Sequence, residues 1–134
     1  MPLSMCIMYD DLKNNRFDGV TDHLMIPEYL IYKLTGVKVH EYTNASTTSL
    51  MDLETNSFSN YIIKKLGLPF ELFNLKMVKP GEVIGDFKEE IKDEVGANIK
   101  VVACATHDTG SAVEGIPMEG NELYISSGTW CLLG

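Results

Sequence analysis

At 134 residues the chain is long enough for one domain with its own core, and a hydrophobic content of 45% fits a globular protein. A net charge of −8 argues against a nucleic-acid groove or an anionic membrane surface, since both favour basic patches. No apolar run approaches the ~20 residues a membrane helix needs, and Met1 to Met8 carries no basic segment or cleavage pattern of a signal peptide.

Met5, Met8, Tyr9 and Leu12 recur at roughly helical spacing, so a helix is expected over 1–14, ended by the polar Lys13-Asn14-Asn15-Arg16. A second helix is expected over Val20 to Lys33, capped by Thr21 or Asp22. Its inward face would hold Leu24, Ile26, Tyr29, Leu30, Lys33 and Leu34, with Pro27 about one turn in and Gly36 as a left-handed stop. Val37 and Val39 suggest a short extended piece. Glu41 to Thr48 is rich in hydroxyls and reads as a loop and helix start held by side-chain-to-backbone bonds; sugar binding by Thr43 or Asn44 is the weaker alternative.

Thr55 to Gly67 reads as a helix with Phe58, Tyr61, Ile62 and Leu66 inward and Lys64 and Lys65 near its C-terminus. Phe70 to Leu75 adds a short turn, and Lys79-Pro80-Gly81-Glu82 is a chain reversal. Val83, Ile84 and Phe87 suggest a strand. Lys88 to Val95 is a charged helix with Ile91 and Val95 inward, closed by Gly96.

Val101 to Ala105 is continuously apolar and β-branched, as expected of a central strand buried on both faces. It stops at the polar tip Thr106-His107-Asp108-Thr109, and small residues then open a helix over Thr109 to Glu114. Leu123 to Ile125 is a last strand, with Ser126-Ser127-Gly128-Thr129 as its tip. Glycine and hydroxyl residues there allow backbone N–H groups to approach an anion. The order of helices and strands argues for an α/β fold with a mainly parallel sheet, in which ligands meet the carboxyl ends of strands. The three cysteines, Cys6, Cys104 and Cys131, include no Cys-x-x-Cys pair and read as buried thiols in a reducing, cytoplasmic setting.

Four ordered stretches resemble the FGGY carbohydrate kinases, most closely the rhamnulokinase branch. They are Leu24-Met-Ile-Pro-Glu-Tyr-Leu-Ile-Tyr-Lys-Leu-Thr-Gly36, Glu41-Tyr-Thr-Asn-Ala-Ser-Thr-Thr48, Thr106-His-Asp-Thr109 and Tyr124-Ile-Ser-Ser-Gly-Thr-Trp130. The resemblance implies part of a ribonuclease-H-like domain of the actin and hexokinase type. Residues 1–120 would be the later half of the family's N-terminal domain, and 121–134 the first strand of the C-terminal domain. It implies Asp108 as catalytic base, with His107, Asp108 and Thr109 at the sugar and Gly128 and Thr129 at the ATP phosphates. Mg2+ and ATP would serve the complete enzyme, with none held tightly by this piece.

A sugar kinase must take a proton from an unreactive hydroxyl as it attacks the γ-phosphorus, which calls for a carboxylate within hydrogen-bond reach. Asp108 suits that role; read without the resemblance, it could equally cap the following helix. His107 lacks metal-ligand spacing to Cys104, His23 or His40, and no Gly-x-Ser-x-Gly elbow supports a hydrolase. Ser126 and Ser127 read as turn formers, and Trp130 as a packing residue. The family's Asp-x-Gly-Thr-type phosphate loop has no counterpart here, so the chain reads as an internal slice, inactive alone and prone to self-association through an uncovered face. The substrate implied is a ketose, L-rhamnulose going to L-rhamnulose 1-phosphate. Alternatives are another family sugar (xylulose, fuculose or glycerol) or a module that binds a sugar or a partner protein without catalysis.

Overall fold

The computed structural model describes residues 3–129 and 131–134. Trp130, read above as a packing residue, lies outside them. Six helices, α1 (Leu3–Lys13), α2 (Ile26–Thr35), α3 (Tyr42–Ser46), α4 (Asn60–Leu66), α5 (Glu89–Val95) and α6 (Asp108–Glu114), alternate with short strands among the described residues. The strands are β1 (Val39–Glu41), β2 (Met51–Asp52), β3 (Ser57–Phe58), β4 (Lys76–Val78), β5 (Val83–Asp86), β6 (Lys100–Val102), β7 (Ile125–Ser127) and β8 (Cys131–Leu133), and a 3-10 turn spans Phe70–Phe73. The class is α/β. β1 pairs in parallel with β4, whereas β2–β3, β5–β6 and β7–β8 are antiparallel ladders. No described helix is long and apolar enough to cross a membrane.

Among the described residues, two apolar clusters hold together the elements up to Ala103, with no residue of α5, α6, β7 or β8 in either. One gathers Met8, Ala45, Leu50, Phe58, Ile63, Leu68, Leu72 and Phe73 between α1, α3, α4 and the 3-10 turn. The other joins Ile31 of α2 to Val39, Val78 and Ala103, so that α2 lies across β1, β5 and β6.

Several local expectations shift. α2 begins at Ile26, not Val20, because Asp22 is engaged by Lys38 at 2.5 Å instead of capping a helix. The Met25 N–H is met by Glu28 Oε2 at 2.8 Å, and Pro27 therefore falls in the first turn, where its missing N–H costs nothing. The buried face of α2 is Glu28 and Ile31; Ile26, Tyr29 and Leu30 are exposed. Gly36 closes the helix at φ 78°, as its position suggested. α4 starts only after Ser59, whose Oγ accepts from the Ile62 N–H, because Ser57 and Phe58 are spent in a ladder with β2. Ile63 is its buried residue, and Tyr61 is exposed beneath Lys65. Val95 of α5 is likewise exposed.

The Val101–Ala105 run is not a central strand. β6 ends at Val102 and pairs only with β5 among the described residues, and Val102 is exposed. Ala103 then turns inward, its N–H donating to Glu82 O and its carbonyl accepting from Gly81 N, both at 2.8 Å, so the reversal at 79–82 takes the bonds a longer strand would have used. Residues 121–134 hold two strands where one was expected, with Ser126 and Ser127 inside β7. Cys104, which follows the end of β6, and Cys131 of β8 are exposed and Cys6 is half-buried, so the expectation of buried thiols does not hold for the first two.

Candidate functional site

A cavity of about 600 Å³ opens between the start of α6 and the β7–β8 hairpin. It is lined by His107, Asp108 and Thr109 on one side and by Ser126, Ser127, Gly128, Thr129 and Leu132 on the other. All five residues singled out in the sequence therefore face one space, although about twenty positions separate the two groups.

His107 is the cap of α6: its Nδ1 accepts from the Gly110 N–H at 3.4 Å. Asp108 follows as the first helical residue, so the alternative in which Asp108 caps the helix is not the arrangement found. Its side chain is 96% exposed, and Oδ1 accepts from the Thr109 N–H at 2.7 Å, with His107 Nε2 at 3.6 Å. Oδ2 takes no hydrogen bond among the described residues, which leaves that oxygen open to an incoming group. Such a carboxylate can receive a proton from an incoming hydroxyl. The Ser126–Thr129 rim offers hydroxyl donors and a glycine backbone to an anion.

Beneath this tip lies a group the sequence did not reveal as part of the site. Glu41, at the end of β1, is fully buried. Its Oε1 accepts from the Thr43 N–H at 2.9 Å. Oε2 accepts from Thr43 Oγ1 at 2.5 Å, Asn44 N at 3.2 Å, Thr106 N at 3.1 Å and Thr106 Oγ1 at 2.7 Å. Burial pushes this carboxyl up, but the bonds from Thr43 and Thr106, side chain and backbone, more than offset that and hold it below the usual range. Thr43 Oγ1 also accepts from the His107 N–H at 3.2 Å. The local half of this arrangement, a cap for α3, matches the side-chain-to-backbone bonding expected of 41–48. The acidic residue followed by Thr43 and Asn44 was its only signal; the reach to Thr106 left none.

A second buried carboxylate, Glu28, stands behind the first. Its Oε1 accepts from the Glu41 N–H at 2.8 Å, and Oε2 lies 3.3 Å from His40 Nδ1. His23 packs 5.5 Å from Phe73 and 6.1 Å from His40, ring centre to ring centre. Burial, with His40 adding to it and Glu28 opposing, lowers the His23 pKa from its ordinary 6.5. No group of three His, Cys, Asp or Glu side chains gathers to hold a metal ion among the described residues.

The model of the N-terminal domain of the FGGY family of carbohydrate kinases matches residues 10–115. The chain is 45% identical over 126 residues to a rhamnulokinase of Oceanobacillus iheyensis, covering 92% of this chain and 27% of that protein. It is 42% identical over 125 residues to a rhamnulokinase of Pectobacterium atrosepticum, covering 92% and 24%. The chain thus spans about a quarter of the length of the curated relatives it matches. Among solved structures, a gluconate kinase from Lactobacillus acidophilus superposes with a TM-score of 0.68 at 24% identity, over 78% of this chain and 23% of that one. A ligand-bound xylulose kinase from the same organism gives 0.62 at 27% identity, over 69% and 19%.

Proposed function

Because this chain belongs to the FGGY family of carbohydrate kinases, we propose that it carries the proton-accepting side of an ATP-dependent sugar kinase that makes L-rhamnulose 1-phosphate. The observation that carries this reading is the shared cavity, which Asp108 lines together with Ser126, Ser127, Gly128 and Thr129. In the proposed reaction, Asp108 takes the proton of the ketose terminal hydroxyl as that oxygen attacks the γ-phosphorus. The bond from the γ-phosphorus to the bridging oxygen breaks, and ADP leaves with the electron pair. His107 and Thr109 hold the sugar beside Asp108, and Gly128 and Thr129 meet the phosphates. ATP supplies the phosphoryl group. The Mg2+ that accompanies ATP in this family is not assigned to the described residues, which gather no ligand set for it, and no step depends on it.

The sugar is inferred from the relatives named rhamnulokinase at 42–45% identity. We read 1–120 as the later half of the family's N-terminal domain and 121–134 as the start of the C-terminal domain; the family match over 10–115 supports only that this range is N-terminal-domain sequence. Alone, the 134-residue chain should release no sugar-dependent ADP, since phosphoryl transfer depends on holding the nucleotide phosphates in line and Ser126–Thr129 is the rim its described residues offer for that.

The test is Asp108→Asn in the full-length kinase, assayed with L-rhamnulose, xylulose, fuculose and glycerol. Loss of a general base lowers turnover by ~10²–10⁴, so kcat should fall by that much while the sugar KM changes far less. Full turnover would overturn the base assignment. Preference for another sugar would overturn the substrate but leave the base standing.

A further inference from the structure

The exposure of Asp108 raises a question of aim. Among the described residues its side chain meets only its own chain neighbours, Thr109 and His107, and α6 is only two turns long. Its direction is therefore set by the backbone of 106–109, and that backbone is tied down at two points. Thr106 donates twice, through N–H and Oγ1, to Glu41 Oε2. The His107 N–H donates to Thr43 Oγ1, which itself donates to the same oxygen.

We propose that Glu41 is the positioning residue for Asp108: its buried carboxylate, through Thr106 and Thr43, fixes the turn that aims Asp108 into the cavity. The inference rests on the reading of Asp108 as the base. The geometry asks for a carboxylate and not merely a polar group. Five donors converge on Glu41, four of them on one oxygen. A neutral amide has a single acceptor oxygen, and even with that oxygen in the Oε2 place its NH2 would meet the Thr43 N–H. Glu28 supports the arrangement by accepting the Glu41 N–H, which fixes where the carboxylate starts. Close packing does the rest. A Cβ on Gly110 would lie 3.7 Å from Thr43 Cβ, so α6 already sits against the residue that carries the relay.

The experiment uses the full-length kinase with Glu41→Gln, Thr106→Val and Thr106→Ser, each alone, and with Glu41→Gln also combined with Asp108→Asn. A misplacement of about 1 Å costs ~10² in rate, so Glu41→Gln should lower kcat by about that factor. Thr106→Val, which keeps the backbone donor and loses the hydroxyl, should lower kcat about 10-fold, and Thr106→Ser should restore it to within about 3-fold. In the Asp108→Asn background, Glu41→Gln should cost nothing further, because a base that is gone cannot be misaimed. An equal loss from Glu41→Gln in both backgrounds would overturn the inference, since a general loss of folded enzyme acts on both alike. If Glu41→Gln fails to fold, Thr106→Val decides: unchanged kcat there overturns the inference. Full turnover in Asp108→Asn would overturn the base reading and this inference together, whereas unaffected Glu41→Gln beside a crippled Asp108→Asn overturns this inference alone.

Discussion

Acid should loosen the fold through His23 before it reaches the Glu41 carboxylate. His23 lies against Phe73 of the 3-10 turn, His40 of β1 and Glu28 of α2, and it shares a groove with Asp11 of α1. Its pKa is lowered chiefly by burial, so the folded chain binds the proton later than the unfolded chain as pH falls. A group with a depressed folded pKa contributes stability that is complete above its ordinary value, here 6.5, and is lost as pH drops toward the folded value. One proton limits the slope to about 1.4 kcal/mol per pH unit, which integrates to at most about 1 kcal/mol between pH 6.5 and pH 5.5. Glu41 is also depressed, and its contribution fades only below about 4.5. Urea unfolding of the chain at intervals from pH 7.5 to 4 should show two descending segments. His23→Phe keeps an aromatic ring against Phe73 and removes the titrating group, so it should flatten the upper segment and leave the lower one. An unchanged slope between pH 6.5 and 5.5 in His23→Phe would refute the reasoning.

Two further outcomes follow from packing. Ile63→Ala should cost about 2–5 kcal/mol in urea unfolding, as expected of a fully enclosed aliphatic side chain, while its neighbour change Tyr61→Ala should stay within about 0.5 kcal/mol because that ring is exposed. Ile26 and Leu30 leave an apolar stripe open on α2, so sedimentation velocity should show self-association as concentration rises; a monomer throughout would refute it.

The site was legible where its chemistry is written locally. Thr106 to Thr109 and Ser126 to Thr129 stand out as polar tips after apolar runs, and the structure lines one cavity with all of these residues except Thr106. Helix stops at Gly36, Gly67 and Gly96 were equally readable, since each needs the left-handed backbone that glycine supplies. The faces of helices were less so. On α2 the apolar stripe Ile26, Tyr29 and Leu30 pointed the reading outward, because Glu28 takes the buried position and is satisfied there by backbone N–H groups that no periodicity can announce. The run Val101–Ala105 misled for a related reason: apolarity does not say where a backbone finds its partners, and the reversal at 79–82 claimed Ala103.

The knot at Glu41 joins positions 65 apart in the chain. Closing a loop of that length costs roughly (3/2)RT ln n, about 4 kcal/mol before constants, and nothing local repays it in advance. The cap of α3 by the same carboxylate, in contrast, spans only two or three residues and can form at once. During folding Glu41 should therefore serve first as a local cap and acquire Thr106 last. The polypeptide would pass through a stage in which its helices exist but the Asp108 turn still swings, so catalytic competence would be gained in a separate, slower step than compactness.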